Sequence, residues 1–358
     1  MFASSNLIAL DIGSSSIKLC EFSGGKSRRL ENLGIEFLPP GIIQNGFIQD
    51  MRAVSQALQA LKKKTKVSRW KKIALSVGGN SVLTKKVTVD VQKDSTFEEQ
   101  AYFVAEQAFQ VDLTELYFDA QPFEGQNNKT GAVDAIVVGA KKELVDQHIA
   151  AIRNAGFDVG AVECEALSLA NMFEYNYGVI EGLVALVNIG GSSCQVMILK
   201  NGQFVYSRDI QIGGEIYTRK ICENLNLDYE TAESLKISVS SESSNQAADV
   251  ADLINHVNIA LVAEIRSTIE YFLQGQENPS DQLGINHIFL IGGASRTLGL
   301  NQNLMTNLQI PVHALNPFQR VTFNARNHGV QNYLRHSESF AIAAGLALRQ
   351  VNDRTRVA

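Results

Sequence analysis

Only four cysteines occur in 358 residues: Cys20, Cys164, Cys194 and Cys222, with no C-x-x-C pair among them. That scarcity argues against a disulfide framework and for reduced thiols in a cytosol. The six histidines show no metal-ligand spacing, which argues against a site built from His and Cys. No stretch approaches the roughly 18 uninterrupted apolar residues that span a bilayer. The N-terminus has no basic n-region, and Asp11 interrupts its short apolar run, so no signal peptide is expected. Net charge is −5, so no global basic excess points to nucleic acid. The expectation is a soluble cytoplasmic protein of about two to three domains, with chain enough to bury real cores.

What is present is one element that occurs twice. "LIALDIGSSSIKLCEF" at 7–22 and "LVALVNIGGSSCQVMIL" at 183–199 each carry an apolar run, a polar residue, Ile, Gly and hydroxyls, then a second apolar run. Both read as strand, tight loop, strand. Gly13 permits a close or left-handed backbone, Ser14, Ser15 and Ser16 add hydroxyls, and Lys18 re-enters on the second strand. Successive N–H groups in such a loop form a nest that can hold a phosphate oxygen. Gly190, Gly191, Ser192 and Ser193 repeat the plan, with Asn188 where the first copy has Asp11. For one copy alone a plain hairpin turn explains as much. Two copies, each opening a domain-sized stretch, suggest a duplicated fold that clamps one phosphate chain.

Further stretches would complete such a clamp. "HIFLIGGASRTLGL" at 287–300 reads as a buried strand ending in Gly292 and Gly293, then a helix start, and suits a flat purine over glycines. "YETAESLKISVS" at 229–240 reads as a helix with Glu233 and Lys236 on one face, either a ribose or base contact or a surface ion pair. "VECEALSLANMF" at 162–173 leads into a helix with Glu165 at its start. "SFAIAAGLALRQ" at 339–350 is a small-residue helix whose Gly345 allows a tight crossing.

In this order, the five motifs resemble those of the actin-like ATPase superfamily, which includes actin, the heat-shock chaperone ATPase domain, FtsA and the sugar kinases. Residues 7–22 and 184–199 look like its two phosphate motifs, 162–173 and 337–349 its connecting motifs, and 287–300 its adenosine motif. Within it, "LPPGIIQNGFIQD" at 38–50, the amphipathic helix and edge strand of 96–124, "QIGGEIYTRKI" at 211–221 and "AAGLALR" at 343–349 resemble the PilM family of type IV pilus machines.

The resemblance implies an α/β, duplicated actin-like fold with two lobes around a nucleotide cleft and an inserted α+β subdomain. The expected boundaries are lobe 1 over 1–84, the insertion over 85–164, and a return to lobe 1 over 165–183. Lobe 2 follows over 184–215, a helical subdomain over 216–284, lobe 2 again over 285–336 and lobe 1 over 337–358. Helices near 166–180 and 338–350 are expected to act as hinges. "SSESSNQAAD" at 240–249 reads as a mobile loop.

The resemblance also implies ATP and Mg2+, with the metal near Asp11 through water. Gly13, Ser14, Ser15, Lys18 and Gly190–Ser193 would hold phosphates, and Glu165 would orient the attacking water. Glu233, Lys236 and the run Gly292, Gly293, Ala294, Ser295 would hold the nucleoside, with Gly213 and Gly214 also among the cofactor-binding residues. Asn188 departs from the family's usual Asp, so at most weak ATPase activity is expected. The implied role is a scaffold that binds the cytoplasmic N-terminal segment of the inner-membrane protein PilN, with other pilus inner-membrane and motor components nearby. Membrane contact would be indirect, and self-association stays open. The inserted subdomain, with its exposed sheet edge, would help to grip an extended peptide.

The basic run "LKKKTKVSRWKK" at 61–72 reads as a helix C-terminus and solvated turn, or else as contact with an anionic membrane. One rival is an FtsA-like polymerising division protein, for whose amphipathic membrane helix the ending "LALRQVNDRTRVA" leaves no room. The other is a small-molecule kinase, for which no acidic base stands out.

Overall fold

The computed structural model describes residues 7–23, 28–67, 72–123, 131–239, 245–276, 284–323 and 328–349. The chain divides into two compact units: Met1–Ile180 with Leu199–Ser207 and Asn316–Ala358, and Glu181–Ile198 with Arg208–Leu315.

The first unit is built on a six-stranded sheet of β1 (Ile8–Ile12), β2 (Ser16–Phe22), β3 (Arg29–Phe37), β6 (Lys72–Val77), β10 (Asp158–Cys164) and β16 (Thr322–Phe323), in the order β10-β6-β1-β2-β3-β16. Every residue of β1 is buried, because both faces of the sheet are covered and the strand reads as a continuous apolar run. Helices α1 (Met51–Thr65) and α3 (Lys142–Asn154) close the face that bears Ile8, Leu10 and Ile12. On the same sheet pack α4 (Glu165–Tyr177) and α10 (Ala341–Ala347), while α9 (His328–Leu334) lies on β3. A methyl group at Gly345 would fall on the Ser168 carbonyl, so only glycine lets α10 cross α4 this closely.

A short hairpin, β4 (Ile43–Gln44) and β5 (Phe47–Ile48), precedes α1. The Asp50 carboxylate accepts the Ala53 N–H at 3.0 Å, a cap that contributes about 1 kcal/mol. The basic run begins at the C-terminal end of α1, as expected of a helix terminus. Lys62 donates to the Gly156 carbonyl at 2.9 Å and lies 4.2 Å over the Phe157 ring. Lys64 donates to the Ile35 carbonyl at 3.1 Å. Residues 68–71 of that run lie outside the described residues.

A separate three-stranded antiparallel sheet holds β7 (Val82–Val91), β9 (Gly131–Lys141) and β8 (Leu116–Pro122), with β9 central and β8 on an edge. Helix α2 (Phe97–Phe109) starts in a capping box between Thr96 and Glu99, and packs Phe97 and Ala101 on Val89 and Val133. Two expected boundaries are corrected here. The separate sheet runs from Val82 to Lys141, not 85–164, because β10 pairs with β6 and α3 packs into the main core. Residues 316–336, expected in lobe 2, fall in the first unit, where β16 pairs with β3.

The second unit holds β11 (Leu183–Ile189), β12 (Cys194–Lys200), β13 (Gln203–Ile210), β14 (Ile285–Ile291) and β15 (Val312–Ala314), in the order β13-β12-β11-β14-β15. The turn of β12 and β13 groups with the first unit. Helices α5 (Gly214–Leu225), α6 (Tyr229–Ser238) and α7 (Asn245–Gln274) share a core of Tyr217, Ile221, Ala232, Val250 and Ile254. The expected mobile loop at 240–249 is corrected in part: 245–249 begin α7, and 240–244 lie outside the described residues. Helix α8 (Leu300–Leu308) starts only at Leu300, so the stretch after Gly293 consists of turns before the expected helix.

Candidate functional site

The first hairpin turns at Gly13, whose N–H donates to the Ser16 carbonyl at 3.1 Å. The second turns at Gly190, whose N–H donates to the Ser193 carbonyl at 2.9 Å. The repeat in the sequence is therefore a repeat of the turn itself. Neither Gly13 nor Gly190 has a positive φ, so the left-handed option weighed for Gly13 is not used. Ser14 and Ser15 sit at the open tip of the first loop, and Ser192 and Ser193 are half-buried in the second.

The register of β1 on β2 sets Asp11 opposite Lys18. Lys18 Nζ lies 3.2 Å from Asp11 Oδ2, and the Ser76 hydroxyl of β6 donates to Asp11 Oδ1 at 3.4 Å. Glu165 opens α4, and its carboxyl packs on the backbone of Gly78, where a side chain would collide with it. The first unit thus collects Asp11, Gly13, Lys18 and Glu165 at one end of the β1, β6 and β10 strands. In chemical terms this is a lysine-paired carboxylate, a hydroxyl-rich turn and a second carboxylate on a helix N-terminus. A single carboxylate, completed by phosphates and water, is a normal inventory for Mg2+, and Asp11 fits it. No group of three or more His, Cys, Asp or Glu could hold a metal among the described residues.

In the second unit the same roles fall to uncharged residues. Gln195 follows Asn188 at the spacing by which Lys18 follows Asp11, so the Asp–Lys pair of the first hairpin becomes Asn–Gln in the second. Gln195 Nε2 turns instead to Asp209 Oδ1 at 3.1 Å. The Gly190–Ser193 loop abuts the start of α5: Gly214 N–H donates to the Gly190 carbonyl at 2.9 Å, and Glu215 N–H to that of Gly191 at 2.8 Å. A Cβ at Gly213 would sit 2.5 Å from the Gly191 oxygen. From α6, Lys236 Nζ reaches Glu233 at 2.6 Å, the Thr218 hydroxyl at 2.9 Å and the Gly214 carbonyl at 3.1 Å. The Lys236 side chain is 11% and that of Glu233 35% exposed, and the pair, which lies within α6, is anchored on α5 through Thr218 and Gly214.

Gly292 packs against the second hairpin. Its φ is +91°, and a Cβ there would run into the Ile189 carbonyl and lie 2.6 Å from Asn188 Oδ1. Its missing side chain makes room for the hairpin backbone. Ala294 N–H donates to the Ile189 carbonyl at 3.1 Å, and the Ser295 hydroxyl to that of Gly292 at 2.7 Å. Gly293 is exposed. The unit therefore brings Asn188, Gly190–Ser193, Gly213, Gly214, Glu233, Lys236, Gly292, Ala294 and Ser295 into one connected cluster.

A second feature of the first unit is a cavity of about 430 Å3. One wall is the continuous run Tyr117–Gln121 of edge strand β8, and another is apolar, including Ile136, Val138, Val145 and Ile149. Glu163 and Arg349 also line it and form an ion pair. Burial pushes the Glu163 carboxyl above its usual range, and the Arg349 guanidinium pulls it partly back. Burial also pushes the Cys164 thiol up to about 12, which leaves it an inert wall. On the open edge of β8, Asp119 Oδ1 accepts the N–H of Ala120 at 2.9 Å. Sequence reasoning missed Glu163, Arg349 and Asp119 as site residues. A charged residue two places before the helix start, in a strand otherwise apolar enough to be buried, was the available signal.

A family model described as Type IV pilus assembly protein PilM matches residues 9–351. The chain belongs to the PilM family. Its fold is that of the actin-like ATPases. A chain of the PilM-PilN type IV pilus biogenesis complex superposes with a TM-score of 0.83 at 22% identity, over 98% of this chain and 100% of that one. MreB5 of Spiroplasma citri bound to ADP gives 0.53 at 13% identity, over 96% and 95%. The cell division protein FtsA of Staphylococcus epidermidis is 24% identical over 262 residues, 64% of this PilM-family chain and 53% of that protein. The chain thus spans about half the length of the curated relatives it matches. Among the described residues no helix is long and apolar enough to cross a membrane.

Proposed function

We propose that this PilM-family chain is a nucleotide-holding scaffold of the type IV pilus machine. It binds the cytoplasmic N-terminal segment of PilN, links the envelope subcomplex to the pilus motor, and lies at the cytoplasmic face of the inner membrane through that partner. The observation that carries the peptide half is the cavity. An edge strand runs along the cavity, and apolar side chains of β9 and α3 line it beside that strand, an arrangement suited to taking an extended peptide as an added strand. A solved complex of the family pairs PilM with PilN. Val138→Arg, which fills the cavity with a charged side chain, is expected to abolish binding of a synthetic PilN segment in calorimetry and to leave nucleotide binding intact. Undiminished peptide affinity in that variant would place the peptide elsewhere.

The nucleotide half rests on the duplicated hairpin turns, and on a fold whose members include a structure with ADP. Asp11, the loops at Gly13–Ser15 and Gly190–Ser193, and Lys18 are proposed to contact ATP phosphates. The cluster of Gly213, Gly214, Glu233, Lys236 and Gly292–Ser295 is proposed to seat the nucleoside. When bound, Mg2+ supplies charge neutralisation at the phosphates. Asp11 would hold it through water and Glu165 would orient water, in a site whose catalysis is positioning and electrostatics. The FtsA similarity sustains a second reading, a polymerising membrane-associated division protein. Pelleting with anionic vesicles in the absence of PilN peptide would favour it.

A further inference from the structure

Two of the six histidines, 26 residues apart in the chain, meet on the sheet of the second unit. His287 stands on β14 and His313 on the edge strand β15. The parallel register sets His313 against Phe289, so His287, two residues earlier on β14, is its diagonal neighbour on the same face. Nδ1 of His287 lies 3.2 Å from Nε2 of His313. The two ring centres are 5.2 Å apart, and the Phe289 ring packs beside both, 5.2 Å from His313 and 6.3 Å from His287. Backbone bonds fix the two strands on either side of the pair. The Ile288 N–H donates to the Pro311 carbonyl at 2.9 Å, and the Leu315 N–H to that of Leu290 at 3.1 Å. His287 is half-buried and His313 exposed, so an ion from solvent reaches them.

Two facing imidazole nitrogens share one hydrogen in such a contact, but the same spacing is also the bite of a chelate. With Zn–N bonds of about 2.0–2.1 Å, a tetrahedral ion holds two ligand nitrogens about 3.3 Å apart, and a square-planar one about 2.9 Å. The observed 3.2 Å is nearer the tetrahedral value. A small tilt of each ring turns both lone pairs onto one ion. The hydrogen of the contact then moves through water to the outer nitrogen of its own ring. His287 ends with its hydrogen on Nε2 and His313 on Nδ1, both as neutral imidazoles, the form that binds metal. Imidazole nitrogen suits zinc-class ions, whereas Mg2+ and Ca2+ take oxygen. Twenty-six residues is no metal-ligand spacing, so chain order alone argues against a histidine site; the pairing of β14 with β15 brings the two ligands together. Two protein ligands leave two tetrahedral positions for water, consistent with the lack of any metal-holding group of three or more among the described residues.

We propose that His287 and His313 form a two-histidine site for Zn2+, with water in the remaining positions. The site uses no residue of either half of the function proposed above, and its ion is separate from the Mg2+ assigned to Asp11. An ion held by both side chains ties the three-residue edge strand β15 to its neighbour. Binding to the folded chain alone therefore stabilises it by mass action.

The test is calorimetry of ZnCl2 into the full chain, with excess Mg2+ throughout to fill oxygen-ligand sites. One Zn2+ per chain is expected. His313→Gln, at an exposed position that leaves the fold intact, should weaken the affinity at least tenfold, the low end of what even an outer partner of a metal ligand contributes. His287→Gln should do the same. His256→Gln, on α7 where Nδ1 lies 2.8 Å from the Asp252 carbonyl, should leave the affinity unchanged. In thermal melts Zn2+ should raise the Tm of the natural chain and leave that of His313→Gln where it was. No zinc heat in the natural chain would overturn the proposal. Undiminished affinity in His313→Gln, or an equal loss in His256→Gln, would overturn it as well, by putting the ion elsewhere.

Discussion

Asp11 and Lys18 face each other at 3.2 Å in the first hairpin, and the second hairpin carries Asn188 and Gln195 in their places. The lost carboxylate is therefore one half of a neutralised pair. Asn keeps the acceptor oxygen but cannot carry charge or act as a base. Asn188→Asp alone would set an unpaired carboxylate against the backbone of Ile189 and Gly292, and is expected to cost about 1 kcal/mol, lowering Tm by about 2–4 °C. Adding Gln195→Lys should recover that loss in a thermal melt; failure to recover would mean the two positions do not pair. A carboxylate near a divalent cation contributes on the order of a few kcal/mol, and each 1.4 or so is tenfold in rate. Phosphate release from ATP is accordingly expected to be slow in the natural chain and about tenfold or more faster in the double variant. Brisk release that ignores the substitution would contradict this account of the second loop.

Both hairpin turns were legible because a tight strand–turn–strand keeps its determinants local, within a few consecutive positions. Gly292 was legible as a glycine of consequence, but the clash that demands it comes from Ile189, which is distant in the chain. Glu163 and Arg349 were hidden for the same reason. Only the fold brings a strand end and the residue after α10 to one ion pair.

Elements were easier to read than their partners. The capping box at Thr96 and the buried stripe Phe97, Ala101, Ala105 and Phe109 announce α2 directly. The sequence around α3 shows an amphipathic helix but not which sheet it covers, and that decided the corrected boundary. Its His148 now lies buried, with Nδ1 2.9 Å from the Leu144 carbonyl, and burial lowers its pKa below 6.5. The folded state then holds the ring neutral while the unfolded chain protonates it. Stability from this site is complete above about pH 6.5 and falls as pH drops from there towards the folded value, by at most about 1.4 kcal/mol per pH unit. Urea melts at successive pH values should show that slope, and His148→Met should flatten it. At the α4–α10 crossing, Gly345→Ala drives a methyl group into the Ser168 carbonyl. It is expected to lower stability by about 1–3 kcal/mol, and an unchanged Tm would show that the crossing can open at no cost.

At the scale of the molecule, two units each carry a strand–turn–strand loop of matching geometry, and the first carries in addition a three-stranded sheet with an open edge. The central claim is that β8 accepts the PilN segment as a neighbouring strand. Hydrogen exchange on the full chain, with and without a synthetic PilN segment, tests it most directly. The account predicts slowed exchange in the backbone amides of Tyr117–Gln121, starting with Ala120, whose N–H now rests on Asp119. Saturating peptide binding that leaves those amides unchanged and protects another surface would contradict it.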